Sequence, residues 1–145
     1  MGPPPLISQI RSALRPLLVA LRRVYLTRIW GMSIGSGTRI SLRAHLDLTN
    51  PKGVKIGSHT TVTFGTAILA HDPSGGRHNT QVGDYCFIGV NSIIFPGITI
   101  GDNCIISAGS VVVQDVPANS WVGGNPAQVI ESGVQTGPGG TRLRS

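Results

Sequence analysis

Charge is scarce in this chain: Asp, Glu, Lys and Arg together make up 12% of its 145 residues, and aromatics only 5%. Disorder needs high charge and few apolar residues, so low charge beside 40% hydrophobic content argues against it. Two cysteines, Cys86 and Cys104, are too few for a disulfide-stapled secreted scaffold. No apolar run approaches the ~20 residues of a membrane span. The stretch Leu17–Leu21 is short and is followed at once by Arg22 and Arg23, which makes a poor secretory signal. These absences lead us to expect one compact domain in the cytoplasm. What is plentiful is glycine, 20 residues, and with many aliphatics this suits a β architecture with tight corners.

A net charge of +6 looks at first like a nucleic-acid signal. Its distribution says otherwise. Residues 34–130 hold five bases (Arg39, Arg43, Lys52, Lys55, Arg77) and five acids (Asp47, Asp72, Asp84, Asp102, Asp115). Residues 1–33 hold five arginines and no acid, and the tail has Arg142 and Arg144 against Glu131. The excess sits at the two ends, so the central region has no basic face and no nucleic acid is expected as a partner.

Aliphatic residues recur every six positions. They fall at Ile34, Ile40 and Leu46, then at Ile56, Val62 and Ile68, and again from Val82 through Ile88, Ile94, Ile100 and Ile106 to Val112. The residue after the aliphatic is often small (Gly57, Gly83, Gly89, Gly101), and the fourth after it is small or β-branched (Thr60, Cys86, Ser92, Cys104, Ser110). Alternate side chains of a strand share a face, so a six-residue unit points its first residue inward, turns a corner, and points a second, smaller residue inward. An amphipathic helix would need intervals of three and four instead. One such unit cannot bury its apolar side, so coils must stack.

The pattern [LIV]-G-x-x-[STAV]-x in these units resembles the hexapeptide-repeat acyltransferases. The likeness covers roughly Ile34 to Ile130 and is most specific in PGITIGDN, AGSVV, DVPANS and GGNPAQVI, which are similar to the second half of sugar O-acetyltransferases of the maltose and galactoside kind. The resemblance implies an all-β fold, a left-handed parallel β-helix in which three units make one triangular coil. It also implies acetyl-CoA as co-substrate, a sugar-like hydroxylated acceptor, and a homotrimer with active sites between neighbours. On this basis residues 1–33 are expected to form a helical cap, 34–130 the β-helix, and 131–145 a flexible tail.

Two interruptions break the phase. The step from Leu46 to Ile56 is ten, four more than a unit; that from Ile68 to Val82 is fourteen, two more than two units. The second contains LAHDPSGGRHNTQ, a polar Gly-rich loop, and loops on a rigid scaffold commonly carry function.

Acyl transfer from a thioester to an alcohol needs a base for the hydroxyl proton and a donor for the oxyanion, but no nucleophilic Ser or Cys if the two substrates are held together. His71 is the candidate base, since imidazole titrates near working pH and this one stands where a β-face gives way to the loop. The resemblance agrees, placing its catalytic histidine in a similar His-Asp or His-Pro segment. His78 is the competitor in the same loop. Asp72 adjoins His71, although contact between chain neighbours is awkward. His45 and His59 fall at outward or corner positions; their spacings, 14 and then 12 to His71, do not match the zinc ligands of γ-class carbonic anhydrases, so no metal is expected.

For the donor, the resemblance places Phe87, Gly89, Val90, Ala108, Gly109, Val113 and Gln114 along the pantetheine arm, with backbone N–H groups near Gly89 and Val90 serving the oxyanion. Relatives commonly carry Thr-Lys in place of Val113-Gln114 and a base in place of Gln128, so coenzyme A phosphates lose their usual partners here. Arg142 and Arg144 are candidate replacements. Asn50 and Arg77 are the acceptor-binding candidates. A scaffold or binding protein without catalysis is the alternative reading, motivated by those lost bases. Cys86 and Cys104, 18 residues apart, are expected to stack as inert core thiols about ~4.8 Å apart.

Ile7, Ile10, Leu14, Leu17, Leu21 and Val24 recur at three- and four-residue steps, an amphipathic helix that Pro16 is expected to kink or split. The stripe is expected to cap the open first coil. Its alternative is peripheral membrane contact through residues 6–28, given the arginines off the stripe. Ile93 and Ile105, at the last position of their units, are candidates for the face between copies.

Overall fold

The six-residue step carries through the computed structural model, which describes Gly2 and residues 5–144. Helix α1 (Leu6–Arg28) is followed by β1 (Ser33–Ile34), β2 (Arg39–Ile40), β3 (His45–Leu46), β4 (Val54–Ile56), β5 (Thr61–Val62), β6 (Ala67–Ile68) and β7 (Thr80–Val82). Next come β8 (Phe87–Ile88), β9 (Ile93–Ile94), β10 (Thr99–Ile100), β11 (Ile105–Ile106), β12 (Val111–Val112), β13 (Ser120–Gly124) and β14 (Ala127–Ser132). Strands β1, β4, β7 and β10 form one parallel sheet. Strands β2, β5, β8, β11 and β13 form a second, and β3, β6, β9 and β12 a third. Three consecutive strands therefore complete one coil of a triangular solenoid, and β14 returns antiparallel on β13 to close the last coil.

Most strands are two residues long, enough to send one side chain out and one in. In β9, Ile94 is fully buried and Ile93 half-buried; in β11, Ile106 and Ile105 divide the same way. The inward residues stack in register, Ile40 on Val62, Val62 on Ile88, Ile88 on Ile106. Each fully buried aliphatic stabilises the stack by about 1.5–3 kcal/mol. At the corner between the first two sheets a smaller column fills the core. The Thr60 hydroxyl donates to the Gly83 carbonyl (2.8 Å), the Cys86 thiol to that of Gly101 (3.1 Å), and the Cys104 thiol to that of Pro117 (3.2 Å). Both cysteines are buried and free. The neighbouring Cys104 thiol and burial push the Cys86 thiol above its ordinary value, which suits an inert core position.

Both interruptions fall at one corner, between the third and first sheets. Leu46 pairs with Ile68, 22 residues on, four more than a coil of 18. Ile68 pairs with Ile94, 26 residues on, eight more than a coil. The expectation of two whole units plus two residues is corrected here: Ile68 and Val82 lie on consecutive faces of one coil, and a single step of six has been lengthened by eight. The two insertions consequently stack one over the other.

The ends depart from expectation. Pro16 lies inside one continuous helix and does not divide it. The apolar stripe of α1 does not cap the first coil: Leu26 is the buried residue of the helix, Met32 is buried beside it, and Trp30 packs against the same core. The stripe faces solvent, while Ser12, Pro16, Val19 and Ala20 face the outer side of β2 and β5. The Arg22 guanidinium fixes the helix to the second corner by donating to the carbonyls of Ser41 and Ala44.

The chain after Ile130, expected to be flexible, packs down the corner between the first two sheets. The Val134 N–H donates to Asn119 O, the Thr136 hydroxyl to Tyr85 O and Asn103 Oδ1, and the Gly139 N–H to His59 O. It thus runs back as a strap across four coils. Composition alone missed this because the partners are corner carbonyls far away in the chain.

Candidate active site

The stacked insertions are joined by two buried polar side chains. Asp47 follows β3 directly and is 6% exposed. Its Oδ1 accepts the N–H groups of Thr49 (2.9 Å) and Asn50 (3.2 Å), and its Oδ2 accepts the Ala70 N–H at 2.6 Å. The same Oδ2 meets Nδ1 of His71 at 2.6 Å. Burial pushes the Asp47 carboxyl up, but the donors from Ala70, His71, Asn50 and Thr49 outweigh it and hold the group below the ordinary carboxylate value. An ionised carboxylate only accepts, so Nδ1 of His71 carries the hydrogen, and Nε2 is the nitrogen turned away from Asp47. The imidazole is about one-third exposed, at 35% of its side chain.

Asp47 was not singled out from sequence. The signal available was an acid where the repeat prefers Gly or Ser, at the first residue of an insertion. Asp72, the sequence neighbour of His71, turns to the other histidine: its Oδ2 accepts from Nε2 of His78 at 2.8 Å. That contact, with Ser74 and Gly76 behind it, holds the Asp72 carboxyl well below its usual range. Asn50, expected to meet the acceptor, acts in the fold as a clamp. It is 8% exposed, and its amide donates to the carbonyls of Ala70 and His78, both at 2.9 Å. Its donors are thereby spent on holding the loop. Arg77 pairs antiparallel with His71 in the backbone and is exposed, which leaves it at the edge of the site.

Four of the expected donor residues come together. Phe87, Gly89, Val90 and Ala108 line a groove of about 420 Å³ at the corner between the second and third sheets. Ile105, Ile106, Ser107, Trp121 and Arg142 complete it. Trp121 Nε1–H donates to Ser107 Oγ at 2.7 Å, which fixes the indole as the groove's far wall. Arg142 lies over that ring, 5.5 Å from its centroid, and pairs with Glu131 at 2.6 Å. The strap brings it there. Trp121 occupies an outward strand position and carries no sequence signal of a groove.

Other expected donor residues do not join in one chain. Gly109 sits at the groove's corner but off its lining, while Val113 and Gln114 are exposed after β12, at the corner that carries His71. The Gly89 N–H cannot serve an oxyanion, because the parallel ladder commits it to Ile106 O at 2.8 Å. Among the described residues, the amides of Val90 and Ala108 donate no backbone bond, and they flank the same groove. Among the described residues, no three His, Cys, Asp or Glu side chains gather as a metal site would require.

Comparison with known proteins bears on the family of the chain. Residues 79–114 match the family model described as hexapeptide repeat of succinyl-transferase. YvoF of Bacillus subtilis (strain 168), provisionally named an acetyltransferase, is 36% identical over 68% of this chain, which spans 59% of its length. SAR0816 of Staphylococcus aureus (strain MRSA252), also provisionally named an acetyltransferase, is 34% identical over 79% of this chain and 72% of its own. The solved maltose O-acetyltransferase of Clostridium difficile 630 superposes with a TM-score of 0.62 at 27% identity, covering 86% of this chain and 84% of that one. The chain belongs to the hexapeptide-repeat acyltransferases, a family of left-handed parallel β-helices related to sugar and serine O-acetyltransferases.

Proposed function

We propose that this protein transfers an acetyl group from acetyl-CoA to a hydroxyl of a sugar or glycan precursor, with His71 as general base and no covalent enzyme intermediate. The observation that carries this reading is the Asp47–His71 pair on a solenoid corner. The carboxylate holds Nδ1, leaving Nε2 to take the acceptor's hydroxyl proton. As the proton moves, the acceptor oxygen attacks the thioester carbonyl, and the Val90 or Ala108 N–H receives the oxyanion. Collapse breaks the C–S bond, and the imidazolium returns its proton to the departing thiolate. The acceptor class follows the named activity of the maltose O-acetyltransferase likeness. We assign Arg77, beside His71, to the acceptor, and Arg142, on the groove wall, to a donor phosphate.

One copy does not hold both halves of this site. His71 stands at the corner between the third and first sheets, and the groove at the corner between the second and third. A homotrimer, in which His71 of one copy meets the groove of the next, brings them together. A coenzyme A thioester and two free thiols suit a reducing, cytoplasmic setting. The test is thiol release from acetyl-CoA in the presence of a panel of sugars, beside light scattering for the mass. Turnover by a trimer is expected. A chain that neither binds acetyl-CoA at millimolar concentration nor releases thiol would be a scaffold instead.

A further inference from the structure

Helix α1 turns its apolar side away from the rest of the protein. At 100° per residue, Ser12, Val19 and Arg23 project toward the solenoid, and Ile7, Ile10, Leu14, Leu17, Leu21 and Val24 project oppositely. All six are exposed, from 47% at Leu14 to 74% at Ile7. A 23-residue helix is about 35 Å long, so this is one continuous strip of aliphatic surface. Patches of that extent on soluble proteins mark an interaction surface.

The structure assigns this face to an anionic lipid surface, on which α1 lies flat. Charge chooses the occupant. The helix has five arginines and no acid, and Arg11, Arg15 and Arg28 are exposed. A second copy packed on the same strip would bring its own arginines and no carboxylate from its helix to meet them. Anionic headgroups supply that charge along the whole length, while the aliphatics enter the acyl boundary. Spanning is not the mode, since no described helix is long and apolar enough to cross a membrane. The helix is also braced to receive such a load: Arg22 holds two carbonyls of the first coil, and Leu26 is buried at its base.

The test is flotation of the full chain with vesicles of phosphatidylcholine, alone or mixed with phosphatidylglycerol. The chain is expected to float with the mixed vesicles, weakly with the neutral ones, and less as salt is raised. The Leu14→Glu/Leu17→Glu variant should keep its circular dichroism and acetyl transfer and lose vesicle binding by roughly tenfold or more. Arg11→Glu and Arg28→Glu should each weaken binding to the mixed vesicles by roughly fivefold. A wild-type chain that stays unbound with both vesicles would overturn the proposal, as would a double leucine variant that floats equally well. A drop in solution mass for that variant, with no lipid binding by the wild type, would assign the strip to a second copy.

Discussion

The carboxylate of Asp47 and the imidazole of His71, 24 residues apart, meet at 2.6 Å across two stacked coils. Neither would be placed without an insertion: Asp47 opens the first and His71 stands in the second. The bond fixes the ring's tautomer and its direction at once, and a general base needs both.

Under the proposed mechanism, removing His71 should therefore be costly. His71→Ala should keep the fold and donor binding, because a loop side chain holds no core together, and lower transfer by roughly 10²–10⁴-fold, or ~3–5 kcal/mol of transition-state stabilisation. Asp47→Asn should lower it less. The double variant should be no slower than His71→Ala alone, since the two act as one unit. Steady-state kinetics on the three proteins measure the coupling; additive losses would separate the residues.

His78→Ala is the control within the same loop. Its imidazole is engaged with the Asp72 carboxylate, whereas that of His71 is engaged with Asp47, so transfer should fall far less than in His71→Ala. Equal losses would leave the base undecided between the two histidines.

Acid should loosen this corner. The Asp47 carboxyl is held lower in the folded chain than its ordinary value of about 3.9 in the unfolded one. Its contribution is thus fully present above that unfolded value and is lost as pH falls through the lower folded one. Urea melts taken from pH 6 downward should show a stability loss in that window, and Asp47→Asn should lack that part of the slope.

Arg142→Ala should weaken acetyl-CoA binding by roughly tenfold, and leave the use of S-acetyl-pantetheine, which has no phosphate, unchanged. Calorimetric titration of the wild type and the variant with both donors decides it. Unchanged affinity for acetyl-CoA, against measurable binding by the wild type, would free Arg142 of the role.

The strap itself can be tested at Gly140. Its φ is +72°, and a Cβ there would lie 2.4 Å from the carbonyl carbon of Cys86. Gly140→Val should cost more than ~1 kcal/mol from the backbone conformation alone, and should also lower donor affinity by releasing Arg142 from Trp121. A melting curve with the donor titration reads both effects.

Much of this molecule was legible as spacing. Strict sixes place an aliphatic at every inward strand position, because a two-residue strand has one inward side chain and a three-sided coil repeats it. His71 was legible too, as the imidazole of the longer interruption. Its partner was not, and the nearer carboxylate, Asp72, points to His78.

Local periodicity dictated the coil, its core columns and the two places where the corner is lengthened, since these depend on residues a few positions apart. Stacking decided the rest. It put both insertions at one corner, so that Asp47 reached His71 and Asn50 became a clamp. It also carried the tail back over four coils to set Arg142 on Trp121, and turned the aliphatic side of α1 outward. Each of those contacts joins residues distant along the chain, and their geometry follows from the rise between coils and the bonds free at the corners, which no short window of sequence contains.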